Sequence, residues 1–424
     1  MKKPKTHTQP ARDTALKWLF LDMNAFFASV EQQLRPELRG CAVGVVPVLA
    51  DSSCCIAASY EAKSRGIRTG TRISDAKSLC PVIRLVQARP AEYIDIHNQI
   101  VSAVNSVLPV HKVYSIDEMA CQLSGSQREP EQAIALARRA KQAIQEQVGN
   151  QLKSSVGIAS NRFLAKTASN LQKPDGLSMI THEDMPEILY SLELDDLTGI
   201  GRGMLSRLNQ QGVETVEQLY ALSSERLRKI WGGIAGEWWW YALRGHDLPE
   251  QESRRRTVGH SHVLSPEYRT QQGARSVMVK LIHKSAARLR RLAYYAGEIS
   301  IALRYPGKDS WHVRQVMEPC QDTGSLLKIF DGLWKQRPTY VAPLSVAVTL
   351  GKLVPESAMS LPLFPEDRRR QELGRLMDQI NMKFGPQSIY TATMQEAADT
   401  APMRISFTKI PDIRIEADRK KHNV

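Results

Sequence analysis

Near the amino end of the chain an apolar strand is closed by a carboxylate: Lys17-Trp18-Leu19-Phe20-Leu21 runs directly into Asp22. A second acidic pair, Asp117-Glu118 in Ser115-Ile116-Asp117-Glu118, lies inside the strand-like stretch Val113 to Leu123. An ionised side chain in an apolar strand is costly unless a cation or a partner neutralises it. Two arrangements meet that demand. In one, the segments lie side by side and aim Asp22 and Asp117 at a shared cation. In the other, Asp22 caps a helix over Ala25 to Glu31, while Asp117 and Glu118 sit at a hairpin turn. The shared site carries a condition, because adjacent strand residues point to opposite faces. Asp117 and Glu118 reach one site only where the strand ends, twists or bulges. Hard oxygen ligands of this kind select magnesium, and two ions roughly 3.5–4 Å apart can clamp both sides of a phosphoryl transfer.

Around these segments the first 180 residues alternate in character. Ala42 to Leu49, Cys54 to Ser59 and Lys153 to Ala159 have strand patterns, and Tyr60 to Ser64, Glu92 to Leu108, Glu129 to Val148 and Asn161 to Leu171 have helical ones. Strands interleaved with helices imply an α/β or α+β layer with one sheet face free for a ligand. From about Pro186 to Gly245 the pattern changes to short helices with glycine turns, first at Leu197-Thr198-Gly199-Ile200-Gly201 and again at Gly232-Gly233-Ile234-Ala235-Gly236. A polar linker over 251–257 precedes a second α+β region, with a basic helix over Arg275 to Leu292 and strands over Glu298 to Tyr305, Trp311 to Met317 and Leu344 to Leu350.

The chain carries 57 Lys and Arg against 44 Asp and Glu, a formal charge of +13. Residues 251–360 hold 17 of the former and eight of the latter. Lys280, Lys284, Arg288 and Arg291 recur at three- and four-residue spacing, which gathers charge on one helical stripe suited to a phosphate backbone. No apolar run approaches the roughly 20 residues that span a membrane. The six cysteines lack CxxC spacing and fit free thiols in a reducing compartment, so a cytoplasmic location and no membrane partner are expected.

Five ordered motifs carry a family resemblance. Phe20-Leu21-Asp22-Met23-Asn24-Ala25-Phe26-Phe27-Ala28-Ser29-Val30-Glu31, Ala58-Ser59-Tyr60-Glu61-Ala62-Lys63-Ser64-Arg65-Gly66-Ile67, Tyr114-Ser115-Ile116-Asp117-Glu118, Ser155 to Lys166 and Lys173-Pro174-Asp175-Gly176 resemble those of the bacterial Y-family (translesion) DNA polymerases, UmuC/DinB-like, across about residues 16–350. The resemblance implies an α+β, right-hand-like polymerase. Its parts are a flexible arm (1–14), a palm (15–30 and 83–180), small fingers (31–82), a thumb with helix-hairpin-helix elements (181–250), a linker (251–257), a separate little finger (258–355) and a tail (356–424).

The implied activity is error-prone addition of deoxynucleotides to a primer 3′ end by two-metal phosphoryl transfer. Asp22, Asp117 and Glu118 would carry two Mg2+ ions, for which Mn2+ substitutes, with the Met23 main-chain carbonyl. Phe27 matches the steric gate against a 2′ hydroxyl, and the Phe26 amide, Tyr60, Lys63 and Lys166 match contacts to the triphosphate. Lys63 stands where many relatives have arginine, giving up the two-pronged fork. Gly199 and Gly201 would hold DNA backbone through main-chain N–H groups, and Lys280, Lys284 and Arg288 through charge. Trp238, Trp239 and Trp240 fit thumb packing.

The implied partners are primer-template DNA and deoxynucleoside triphosphates. Ser360-Leu361-Pro362-Leu363-Phe364 resembles the peptide that docks such polymerases onto the replication sliding clamp, with Leu361, Leu363 and Phe364 as anchors and Ala358 in place of the usual glutamine. The tail beyond it, flexible by its polarity, is similar to the UmuC-type subgroup, which implies a recombinase filament or a UmuD-like subunit as regulator. The alternative function is a catalytically inactive DNA-binding scaffold that recruits a partner polymerase; retention of all three acidic residues argues against it. A two-metal nuclease would need neither gate nor triphosphate contacts.

Overall fold

The computed structural model describes residues 14–51, 53–249, 255–307, 310–339, 341–360, 364–397, 401, 405, 410 and 411. Residues 14–249 cluster into one compact unit and 255–397 lie in a second.

The first unit runs β1 (Trp18–Met23), α1 (Phe26–Leu34), β2 (Val43–Val46), β3 (Ala57–Ala58), α2 (Tyr60–Lys63), α3 (Ile73–Leu79), β4 (Arg84–Gln87) and α4 (Pro90–Asn105). It continues through β5 (Val110–Val113), β6 (Glu118–Gln122), α5 (Pro130–Gln147), β7 (Ser154–Ala159), α6 (Arg162–Leu171) and β8 (Leu177–Ile180). Five short helices follow: α7 (Glu187–Tyr190), α8 (Arg202–Asn209), α9 (Val216–Ala221), α10 (Ser224–Trp231) and α11 (Ile234–Leu243).

The apolar run ahead of Asp22 is buried throughout because β1 takes the centre of a five-stranded sheet ordered β5-β6-β1-β7-β8. It is antiparallel to both neighbours, and Asp22 stands opposite Glu118 on one side and Ser155 on the other. Helix α6 lies on this sheet against β1 and β7. Gly157 makes that approach possible: a Cβ there would meet the Ala165 carbonyl oxygen at 1.9 Å. The missing side chain therefore sets how near α6, with Lys166, comes to β1.

Residues 43–87 form a three-stranded sheet, β3-β2-β4, with its own small core of Val46, Cys55, Ala62, Ile67 and Ile73. The helices from α7 to α11 share a core with the large sheet, in which Phe20, Phe163 and Leu164 meet Leu197, Ile200 and Leu243. Trp239, 6% exposed, sets its ring edge-on to Phe163 at 4.9 Å, as expected of a packing tryptophan.

The second unit contains β9 (Val258–Val263), α12 (Gln271–Arg291), β10 (Tyr294–Arg304), β11 (Trp311–Cys320), α13 (Thr323–Trp334), β12 (Ser345–Pro355) and α14 (Pro365–Phe384). Its antiparallel sheet is ordered β11-β10-β12-β9. Helices α12 and α13 pack on the face that presents Ile299, Ile301, Leu303, Val346 and Val348.

Three expectations are corrected. The strand expected over Cys54 to Ser59 is only Ala57–Ala58, because Cys54 makes a lone bridge to Arg72 instead of continuing a ladder. The stretch Val113 to Leu123 is a hairpin: β5 ends at Val113, residues 114–117 turn, and β6 begins at Glu118. In the tail, 20 residues form α14, which is tied to the second unit by Arg290 to Asp378 at 2.6 Å and by the Tyr295 hydroxyl to Gln371 at 3.2 Å. No residue of α14 is buried, and Leu373 and Leu376 are exposed beside its charges, so a polar composition accompanies an exposed helix where flexibility was expected. Strand β4 and helix α13 were not anticipated at all.

Candidate active site

The hairpin resolves the geometric condition on the acidic pair. Asp117 lies in the turn, outside the strand alternation, and Glu118 opens β6 opposite Asp22. The Met23 amide donates to the Asp117 carbonyl at 2.8 Å, which fastens the turn to the end of β1. The structure thus brings Asp22, Met23, Asp117 and Glu118 together. The cap reading of Asp22 fails, since α1 is preceded by Ala25 in the left-handed region (φ 48) with no side-chain cap. Asn24 fixes that junction: it donates to Ser155 Oγ at 3.0 Å and accepts from the Asp175 amide at 2.7 Å.

Positive charge fills the space between the carboxylates. The Lys166 ammonium, buried on α6, pairs with Asp22 and stands 2.8 Å from Glu118. Lys173 reaches Asp22 at 2.6 Å. Burial alone would lower the Lys166 pKa, but Asp22 and Glu118 more than offset it and hold the ammonium above its ordinary range. The Asp117 pKa is raised as well: burial raises it, Ser115 opposes this through a hydrogen bond, and the charges of Glu118 and Asp22 add to the rise.

Among the described residues no three acidic, histidine or cysteine side chains are gathered at metal-ligand spacing. The donor set nonetheless fits a hard cation. An ammonium already bridges two of the three carboxylates, and the third is held in a place where ionisation is disfavoured until more positive charge arrives.

Tyr60 and Lys63 stand on α2, whose start is capped by Ser59, and both feel the charge of Asp22. The Lys63 ammonium lies 4.3 Å from the Tyr60 ring centroid. Burial raises the Tyr60 pKa and the charge of Asp22 raises it further. Burial and the charge of Lys173 lower that of Lys63. Phe26 and Phe27 begin α1, 3% and 7% exposed, with the first-turn amides free of any side-chain cap.

Behind Phe27 lies a network that motif reading missed. Its ring stacks on Tyr93 at 4.5 Å and 15°. The Tyr93 hydroxyl donates to Glu31 at 2.7 Å, and Arg89 grips the same fully buried carboxylate with two bonds of 3.0 and 2.8 Å. Lys173 was missed too, although its motif was in view. Phe27 and Glu31 are four apart on α1, Arg89 and Tyr93 four apart where α4 starts; that spacing was the available signal.

Gly199 adopts φ +104, and Gly201 caps α8, leaving open space where a Cβ would stand. The expected basic stripe is corrected at Lys280, which the fold buries. Lys280 is 1% exposed, Lys284 donates to the Ala401 carbonyl at 2.9 Å, and Arg288 is half-buried. Lys284 and Arg288 stand over β9, where with burial they push the His260 pKa down to about 3. Three- and four-residue spacing identifies a helix face without saying whether that face turns inward. Phe364 precedes α14 and is 65% exposed; Leu361 and Leu363 lie outside the described residues.

Comparison with known proteins matches this arrangement. The model of the "impB/mucB/samB family" covers residues 21–170, that of the "impB/mucB/samB family C-terminal domain" residues 255–363, and that of the "DNA polymerase-iota, thumb domain" residues 195–247. DNA polymerase IV of Moorella thermoacetica is 32% identical over 384 residues, 88% of this chain and 95% of that protein. DNA polymerase IV of Pelotomaculum thermopropionicum is 30% identical over 386 residues, 88% of this chain and 94% of that one. Of solved structures, the "Y-family DNA polymerase chimera Dbh-Dpo4(243-245)-Dbh" aligns at a TM-score of 0.67 and 24% identity, over 80% of this chain and 99% of that one. The "Insertion ternary complex of Dbh DNA polymerase" aligns at 0.52 and 23% identity, with the same coverage of 80% and 99%. These share the fold, and with it the division into palm, fingers, thumb and little finger. By the match of its family models and the length over which its relatives align, the chain is a member of the impB/mucB/samB family, the Y-family DNA polymerases.

Proposed function

We propose that the chain extends a primer 3′ end against a DNA template by two-metal phosphoryl transfer, with a site loose enough to copy damaged templates. The observation that carries this is the pairing of Asp22 with Glu118 across β1 and β6, with Asp117 in the turn beside them and a cation already drawn between the first two. When bound, divalent ions supply activation of the primer hydroxyl and charge neutralisation on the phosphates. Asp22, Asp117, Glu118 and the Met23 carbonyl are the groups that would hold them.

The remaining residues orient the nucleotide. The uncapped first turn of α1, including the Phe26 amide, offers N–H donors to phosphate oxygens. Tyr60 contributes a hydroxyl that stays protonated, and Lys63, Lys166 and Lys173 contribute three ammonium groups converging near Asp22. On this reading Lys166 and Lys173 exchange carboxylate for phosphate partners as nucleotide and metal enter together. The Phe27 ring closes the space beside the sugar.

DNA would be gripped through backbone alone: by Gly199 and Gly201 at the start of α8, and in the second unit by the sheet face opposite α12. There Arg304, His312 and Arg314 share one face with Ser300 and Thr349. Sliding-clamp docking through Leu361, Leu363 and Phe364 rests on the resemblance of that peptide.

Primer extension on a template carrying one abasic site tests the reading. Magnesium-dependent products that pass the lesion support it; a protein that extends neither damaged nor intact templates contradicts it.

A further inference from the structure

Arg89, Tyr93 and His97 stand four residues apart, so they form one stripe of α4 and its start. The first two hold Glu31 and the Phe27 ring. The third does something different. His97, 3% exposed, places Nδ1 2.7 Å from the carbonyl oxygen of Ile116, the residue before Asp117. A carbonyl can only accept, so Nδ1 carries the proton. Burial pushes the His97 pKa below 6.5, which keeps the ring neutral and this tautomer in place.

We propose that His97 is a positioning residue for the metal-holding turn, fixing through the Ile116 carbonyl the main chain that carries Asp117. This rests on reading Asp22, Asp117 and Glu118 as metal ligands. The turn needs such a tether. Asp117 lies beside Asp22 and Glu118, and like charges repel there. Its carboxylate accepts from the Ser115 hydroxyl, and two contacts hold its main chain. The Asp117 carbonyl is held by the Met23 amide at 2.8 Å, and the peptide on its other side is held by His97. Ile116 is itself 1% exposed, so the turn is anchored by packing and by one hydrogen bond from a helix that otherwise supports the gate. Groups that orient metal ligands at one remove change metal affinity by about 10–100-fold when lost.

The test compares His97→Leu, which removes the donor, with His97→Asn, whose Nδ2 takes the place of Nδ1 relative to Cγ. Mn2+ binding to the DNA-free protein is read by electron paramagnetic resonance, beside the Mg2+ concentration for half-maximal extension. His97→Leu is expected to weaken Mn2+ binding and raise the Mg2+ requirement by about 10-fold or more, with extension at saturating metal within a few fold. His97→Asn is expected to remain near wild type in both. A His97→Leu protein with unchanged metal affinity overturns the inference, as does a His97→Asn protein no better than Leu. Should His97→Leu fail to fold, His97→Phe keeps a ring without the donor and is read the same way. Asp117→Asn separates the two levels: unchanged Mn2+ binding there overturns the ligand reading itself, whereas weakened binding there with unchanged His97→Leu overturns only the role of His97.

Discussion

The ring of Phe27 lies flat against the ring of Tyr93, centroids 4.5 Å apart and planes within 15°. The two come from helices separated by some 60 residues of chain, and Tyr93 is in turn fastened to Glu31 on the helix that carries Phe27. The Phe27 ring, proposed as the steric gate, is thus backed by a ring whose hydroxyl is anchored to a buried carboxylate.

Removing the gate ring should admit the extra oxygen of a ribonucleotide. Phe27→Ala is expected to narrow the preference for deoxyribose over ribose by about 10-fold or more, given what one excluded group is worth in a tight pocket. Single-nucleotide kinetics with matched ribo- and deoxyribonucleotides measures it, and an unaltered ratio removes Phe27 from that role.

The support behind the gate should matter to selectivity as well as to stability. Tyr93→Phe keeps the stacked ring and deletes one hydrogen bond to a buried carboxylate, a loss of about 1.5–3 kcal/mol in folding. Its sugar discrimination should fall while DNA affinity holds. Glu31→Ala is a harsher change: it strands Arg89 beside an empty acceptor, and about 3 kcal/mol or more of stability should go with it. Thermal denaturation of the two variants side by side distinguishes them.

Gly157 is a sensitive point of packing. A methyl group there collides with the α6 backbone at Ala165, so Gly157→Ala should cost about 1–3 kcal/mol and push Lys166 off the carboxylates. Denaturant titration reads the first effect and the nucleotide KM the second.

Acid should destabilise the second unit before carboxylate protonation begins. Burial, with Arg288 and Lys284 nearby, holds His260 down to about 3, and burial with Arg290 nearby holds His283 down to about 4. Both titrate at their ordinary value of 6.5 when unfolded. The unfolded chain therefore binds protons that the folded one refuses as pH falls below 6.5, and stability declines from there toward the folded values. Melting curves from pH 7 to pH 4.5 should show that decline, and His260→Leu should flatten it.

How much of this was legible in the sequence varied by element. β1 was, because a central strand is apolar on both faces and its closing aspartate has few uses there. The position of Asp117 and Glu118 was legible only as a condition, that the strand must break; the hairpin at 114–117 meets it. Lys280 was misread, since periodicity marks a face and packing decides its direction. Arg89, Tyr93 and His97 offered only their four-residue spacing as a signal: each looks ordinary in its own segment, and its role is defined by Glu31, Phe27 and Ile116, residues that only the tertiary fold brings near. Helix α14 hid behind its charge, although Pro365 marks its first turn.

The central claim is that acidic side chains from separate strands act together on a nucleotide's phosphates. Asp117→Asn alters one of them without changing its size. Measured for primer extension and for primer-template affinity on the same preparation, it should lose extension by about 1,000-fold or more, the scale of a lost metal ligand or electrostatic group in such sites, with DNA affinity within about twofold. Extension at the wild-type rate by that variant would contradict the account.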